Sequence, residues 1–141
     1  MADTSRTAGI HCLIVTPETT VVDATARAVV LPLEDGLRGV GRGHAPFIGR
    51  LGVGEVRITT ADGAEAIHRT FVEGGFVEVG HDTVTVITQR AIPAARIDLA
   101  EARAALTEIT TRPATGDEAI EAKLRSQQAA REIVRIAQQA R

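Results

Sequence analysis

Phe76-Val77-Glu78-Val79, Gly80-His81-Asp82, Thr83-Val84-Thr85-Val86-Ile87-Thr88: two β-branched runs separated by a glycine-led turn. Within Val84-Thr85-Val86 the alternation is strict, as a sheet face requires. The same grammar extends toward the N-terminus. Cys12-Leu13-Ile14-Val15 is stopped by Thr16-Pro17, and Val21-Val22 and Ala28-Val29-Val30-Leu31 by Pro32. Val53 to Thr59 and Ala66 to Val72 follow. The punctuation is Glu34-Asp35-Gly36, Ala61-Asp62-Gly63 and Glu73-Gly74-Gly75. Asp-Gly between apolar runs predicts a hairpin, because glycine takes φ > 0 without a Cβ clash. Closely spaced strands without a helical period predict an antiparallel β-sandwich or small barrel. Runs apolar at consecutive positions predict burial between two sheets.

After Pro93 the period changes. Leu99, Ala102, Leu106 and Ile109 step by three and four, a narrow stripe on one helix. Asp98 with Glu101 predicts an N-cap and its reciprocal glutamate. Arg112-Pro113-Ala114-Thr115-Gly116 breaks the helix, and Thr115-Gly116-Asp117-Glu118 predicts a second capping box. The chain therefore divides into a β-domain over 1–90 and an α-helical hairpin over 91–141. On the second helix, Ile120, Leu124, Ala130 and Val134 cluster on one side, with Ala122, Ala129, Ile133 and Ile136 roughly opposite. One partner needs only one stripe. The pair fits either a weakly amphipathic terminal helix or a helix with a second docked position.

Composition narrows the function. At 141 residues the chain is about one domain. Its single cysteine, Cys12, excludes an intrachain disulfide and a four-cysteine zinc site, and reads as a small buried apolar residue. A net charge of −2 argues against a broad grip on nucleic acid. Three Phe without Trp or Tyr argue against stacking platforms. No apolar run approaches the length of a membrane span, so no direct membrane insertion is expected. Met1 to Gly9 lacks the apolar core of a signal peptide, which predicts an intracellular protein.

Catalytic constellations are missing. His11, His44, His68 and His81 are scattered, with no second His or Cys at a ligand spacing, so no metal is expected. Ser5 and Ser126 lie outside any nucleophile elbow. Asp35, Asp62 and Asp82 sit in turns. Gly39-Val40-Gly41-Arg42-Gly43 fails as a phosphate loop, because His44 stands at the third glycine position and no helix follows. What stands out is the connection from Leu31 to Gly54, long, punctuated by Gly and Pro, and carrying Arg38, Arg42 and His44. Long loops often carry function.

At these residues the sequence resembles the epsilon subunit of the F-type (rotary) ATP synthase. It supplies Pro32, Asp35-Gly36, Gly39, Gly43-His44-Ala45-Pro46, Leu51 and Gly54 in the family's order. Leu13-Ile14-Val15-Thr16-Pro17-Glu18 and Gly74-Gly75-Phe76-Val77-Glu78-Val79 match as well. The resemblance implies a sandwich of about ten strands and a C-terminal helical hairpin. It implies a non-catalytic rotor subunit with no cofactor, at the foot of the central stalk of a proton- or sodium-driven enzyme. Its partners would be the gamma subunit, the polar loops of the c-ring and, with the helices extended, the alpha/beta hexamer. It would lie peripherally on the cytoplasmic face of the bacterial inner membrane. Its helices would restrain ATP hydrolysis.

On that reading the c-ring and gamma contacts fall on Glu34, Asp35, Gly36, Leu37, Arg38, Gly39, Arg42 and Gly43, with His44 ordering the loop. Gly39 and Gly43 are expected at positive φ. The helical regulatory residues are Leu99, Leu106, Ile120, Leu124, Ile133, Val134 and Ile136. Two departures matter. Many members carry Gly-Glu-x-Gly where this chain has Gly36-Leu37-Arg38-Gly39. Some bind ATP through [I/L]-D-x-x-R-A. Here one register keeps Asp98 but has Glu101 for the arginine, and another keeps Arg103 but loses the aspartate. A glutamate in that place repels phosphate, so little or no ATP binding is expected. A stand-alone β-sandwich binding module with a helical tail, or a small enzyme using His44 with Asp35 or Arg42, are the other readings.

Overall fold

The computed structural model describes residues 9–61 and 66–140. Ser5 and the Asp62-Gly63 portion of one expected turn lie outside the described residues. The strands are β1 (Ile10–Val15), β2 (Thr20–Leu33), β3 (Gly36–Val40), β4 (Phe47–Arg50), β5 (Val53–Thr60), β6 (Ile67–Glu73), β7 (Phe76–Gly80), β8 (Thr83–Ile87) and β9 (Ala91–Pro93). Two helices follow, α1 (Leu99–Thr111) and α2 (Asp117–Gln139).

The nine strands form a β-sandwich in which β2 belongs to both layers. Its first half pairs with β1 and its second half with β3 and β5. An irregularity between Ala26 and Ala28 lets it turn from one layer into the other. One layer runs β4-β7-β8-β1-β2; the other continues through β5, β6 and β9, with β3 on the free side of β2. Pairing is antiparallel except that β1 and β8 run parallel, His11 opposite Thr83 through Val15 opposite Ile87. That pair closes the first layer between strands remote in sequence, where no turn constrains direction. Between the layers lie Ile10, Cys12, Ile14, Val29, Leu31, Val56, Ile58, Val72, Val77, Val79, Val84 and Val86. Cys12 is fully buried, and desolvation pushes its thiol up to about 12, so it stays a neutral thiol.

Several expectations change here. The stretch from Leu31 to Gly54 is not one long loop, because β3 and β4 occupy much of it. β9 pairs with β6, so the sheet continues past residue 90 to Pro93. In β6 the consecutive burial of Thr70, Phe71 and Val72 has a different cause from two facing sheets. Val72 faces the sandwich core, whereas Phe71 packs with Ala129 and Ile136 of α2. The hairpin covers the outer face of this layer.

Asp98 caps α1 as expected, its Oδ1 accepting from the Glu101 N–H at 3.0 Å. Asp98→Ala is expected to cost about 1 kcal/mol of helix stability, read as earlier loss of α1 amide protection than of β8. Arg112 ends α1, its N–H donating to Glu108 and Ile109 carbonyls. The second capping box does not form: Gly116 is the N-cap, at φ 95°, and no side chain caps α2. The helix starts one residue too late for Thr115 to serve. Leu99, Ala102, Leu106 and Ile109 are the half-buried positions of α1, which packs along α2.

Both stripes of α2 are covered only toward the C-terminal end, and Ala122 at the other end is exposed. Ala129 and Ile136 are buried and Ile133 is half-buried over Phe71 and Ile92. Ala130 is buried and Val134 half-buried, but Ile120 and Leu124 stay exposed. The C-terminal half of α2 thus anchors the hairpin.

Candidate partner-binding surface

Glu34 and Asp35 form a tight turn between β2 and β3, with Leu33 paired to Gly36 at φ 132°. The Glu34 N–H donates to the Arg50 carbonyl at 2.9 Å, joining this turn to the end of β4. Two free sheet edges, β3 and β4, therefore meet at one end of the sandwich. Glu34, Asp35, Arg38, Phe47 and Arg50 line a cleft of about 310 Å³ there. The Arg38 guanidinium lies 4.9 Å from the Phe47 ring centroid, a cation–π arrangement. The site offers two carboxylates, two guanidiniums and an aromatic floor, a chemistry suited to a polar peptide loop.

The adjoining turn is held from outside. The Gly43 N–H donates to Asp82 Oδ1 at 2.7 Å. Asp82 belongs to the His81-Asp82 turn between β7 and β8, where both residues have positive φ. That pair of left-handed residues suits the twist of a two-residue hairpin. The turn thus braces the glycine segment across the end of the molecule. His44 is half-buried, its Nδ1 2.8 Å from the Ala45 carbonyl and its ring 5.3 Å from that of Phe47. This fits a structural, loop-ordering histidine.

The expected contact residues separate into groups. Glu34, Asp35 and Arg38 share the cleft. Gly36 and Leu37 line a different one, of about 390 Å³, shared with Glu55, Arg57, Glu132 and Arg135 on the side of α2. Arg42 and Gly43 form the turn beside His44. Gly43 has φ 78° as expected, but Gly39 does not: it sits in the β3 ladder opposite Val30, outside the positive-φ set.

The structure adds an apolar patch that pattern reading passed over. Arg50, Phe76, Ile87 and Val15 stand in register across β4, β7, β8 and β1. Phe76 and Ile87 are each about half exposed, and Ile48, on the same strand face as Arg50, is 74% exposed. Arg50 sits 5.8 Å from the Phe76 ring centroid. The available signal was alternation itself: Val77 and Val79 take the core, leaving Phe76 an outward position that a surface strand would fill with a polar residue.

Comparison with known proteins bears on this geometry. The family profile described as "ATP synthase, Delta/Epsilon chain, beta-sandwich domain" matches residues 9–94. An ATP synthase epsilon chain of Rhodopirellula baltica is 46% identical over 114 residues, covering 81% of this chain and 87% of that relative. The chain belongs to the ATP synthase delta/epsilon family. A sodium ion specific epsilon chain of Propionigenium modestum is 36% identical, over 89% of this chain and 91% of that relative. The fold recurs in a chain of the Euglena gracilis mitochondrial ATP synthase, with TM-score 0.73 and 22% identity over 94% of this chain and 81% of that one. It recurs also in a Tetrahymena thermophila chain, with TM-score 0.66 and 13% identity over 91% of this chain and 96% of that one.

As an epsilon-type member it is a non-catalytic subunit, in keeping with a histidine turned to its own loop. The matched span ends at residue 94, just past β9, so the profile and the sheet stop together. Among the described residues no group of three or more His, Cys, Asp or Glu could hold a metal. No described helix is long and apolar enough to cross a membrane. Asp98, one half of the degenerate nucleotide motif, is engaged as the α1 N-cap, while Arg103 is exposed on α1.

Proposed function

We propose that this chain is the central-stalk subunit that seats the gamma subunit on the polar loops of the c-ring, on the cytoplasmic face of the bacterial inner membrane. Two functional parts carry the role, the sandwich through Pro93 for docking and the helical hairpin for restraint of ATP hydrolysis. The supporting observation is the braced sandwich end, where Glu34, Asp35 and Arg38 share a cleft and Asp82 holds Gly43. A body transmitting torque must be stiff, and a two-layer core with cross-braced turns is stiff. The resemblance places an acidic residue where this chain has Leu37, with Arg38 beside it, so the complementary c-ring loop is expected to present a carboxylate or carbonyl groups. The Phe76–Ile87 patch suits the apolar part of a gamma interface.

The hairpin is the regulatory part. Ile133 and Ile136 dock it on Phe71, Val134 is half-buried on another side of the helix, and Leu99 and Leu106 face along α2. Ile120 and Leu124 are left for the alpha/beta hexamer when the helices extend. Glu101 beside Asp98 keeps ATP affinity low.

Gly43→Val tests the docking role. Valine at φ 78° is strained by roughly 1–2 kcal/mol, so the turn shifts. Recovery of gamma and c-ring with the tagged variant is expected to fall about five- to thirtyfold in affinity. Native chain that pulls down neither gamma nor catalytic subunits from its own membranes would sink the reading.

A further inference from the structure

Phe71 is not alone under α2. On the same outer face of the sheet its register partner is Glu55, a carboxylate 7% exposed. One position along the face, Arg57 pairs with Arg69. Arg69 donates to Glu55 Oε1 at 2.8 Å, and Arg57 Nε lies 3.5 Å from the same oxygen. Two contacts cross to α2. Arg135 lies 3.9 Å from Glu55 Oε1, and Arg69 donates to Gln139 Oε1 at 3.2 Å. Arg135 is held in place along its own helix by Glu132 at 2.7 Å and by Gln139 at 3.1 Å.

This is a poor way to glue a helix down permanently. Glu55 Oε2 and Arg57 Nε are buried without a hydrogen-bond partner. A half-satisfied polar cluster stabilises less than apolar packing of the same volume. Yet it has a property apolar packing lacks. The 390 Å³ cleft beside it is lined by Glu55, Arg57, Glu132 and Arg135, so ions reach the contact, and Arg135 is 41% exposed. Salt therefore reaches the pair from the Arg135 side and weakens it, although less than it would a fully exposed pair. The sandwich core, built of Val, Ile and Leu, is indifferent to that screening.

We propose that Glu55, with Arg69 beside it, is the fixed half of an electrostatic latch, and Arg135 with Gln139 the moving half, that sets how readily α2 leaves the sandwich. The latch deepens the regulatory role proposed for the hairpin and rests on that reading only for its consequence in the assembled enzyme. Opening it exposes Phe71 and Ile136 together, so the helix departs as a unit.

Hydrogen exchange of the full chain tests the latch. In the native protein, raising NaCl from about 0.05 to about 1 M is expected to speed exchange in the 127–139 stretch of α2 about two- to fivefold, with Val56 and Ile58 unmoved. Glu55→Gln is expected to be fast at both concentrations, with the salt response gone. Arg135→Met, on the exposed side of the contact, is expected to do the same. The double variant is expected to lose little more than either single one, the non-additivity of a direct pair. Equal salt responses in native and variant proteins, additive losses, or parallel acceleration of β5 and β6 would each overturn the latch. ATP hydrolysis by the assembled enzyme is read separately. An unchanged rate in Arg135→Met with the exchange result intact would sink the regulatory role and leave the latch standing.

Discussion

Gly75→Ala is expected to destabilise the sandwich by about 3–5 kcal/mol, the most damaging single methyl among the glycine positions of the sheet turns. Two penalties coincide. Gly75 has φ 103°, a conformation unfavourable for any residue with a Cβ. A Cβ there would also stand 2.0 Å from the Ile87 carbonyl oxygen and 2.9 Å from the Thr88 Cα, both backbone atoms that cannot swing aside. The site is pinned by further bonds: the Gly75 carbonyl accepts from Leu51 N–H at 2.9 Å, and the Thr88 N–H donates to the Val15 carbonyl at 3.0 Å. Gly74 is the matched control. Its φ of 70° is also positive, but a Cβ would meet nothing within 4 Å, so Gly74→Ala should cost only about 1–2 kcal/mol. Urea titration of the two variants measures the gap. Equal midpoints would show that backbone conformation alone, and not close approach, governs the turn.

Phe71→Ala is expected to cost about 3–5 kcal/mol, and to spend it on the hairpin before the sandwich. Phe71 is the largest fully buried side chain, yet its neighbours are Ala129 and Ile136 rather than the inter-layer core. The Arg90 guanidinium lies 5.2 Å from its ring centroid, and Val53, Ile92, Ala94 and Ile97 pack around the same cluster. Removing the ring leaves a cavity that Ala129 and Ile136, held on a rigid helix, cannot refill. Freed from the sheet, the hairpin keeps only its α1–α2 packing, and helices in proteins draw most of their stability from tertiary packing. The expected signature is a drop in helical circular dichroism and loss of α2 amide protection, with β1 and β8 still protected. Uniform loss across both parts would mean that hairpin and sandwich unfold as one unit.

These variants fall on positions of unequal legibility in the sequence. The Phe76–Thr88 hairpin, the break at Pro113, the Asp98 cap and the α1 stripe were readable because each depends on residues within one or two turns of chain. The glycine-and-proline motif from Pro32 to Gly54 was readable as a family signature. Its division into β3, a braced turn and β4 was not, since short strands with exposed faces carry no strong alternation. Gly39 shows the limit well: next to Gly43 in composition, it belongs to a ladder and needs no left-handed backbone.

The amino-acid sequence by itself determined the two-part architecture, the family and the helix boundaries to within a residue or two. Those follow from local period, turn chemistry and capping, which act over a few bonds. Only the tertiary structure decided that β1 and β8 pair in parallel, that Gly75 is trapped beneath Ile87, that Phe71 and Glu55 lie beneath α2, and that Ile120 and Leu124 stay uncovered. Each of these sets residues far apart in the chain against one another. Alternation gives a side chain its face, but what covers that face depends on how the layers pack.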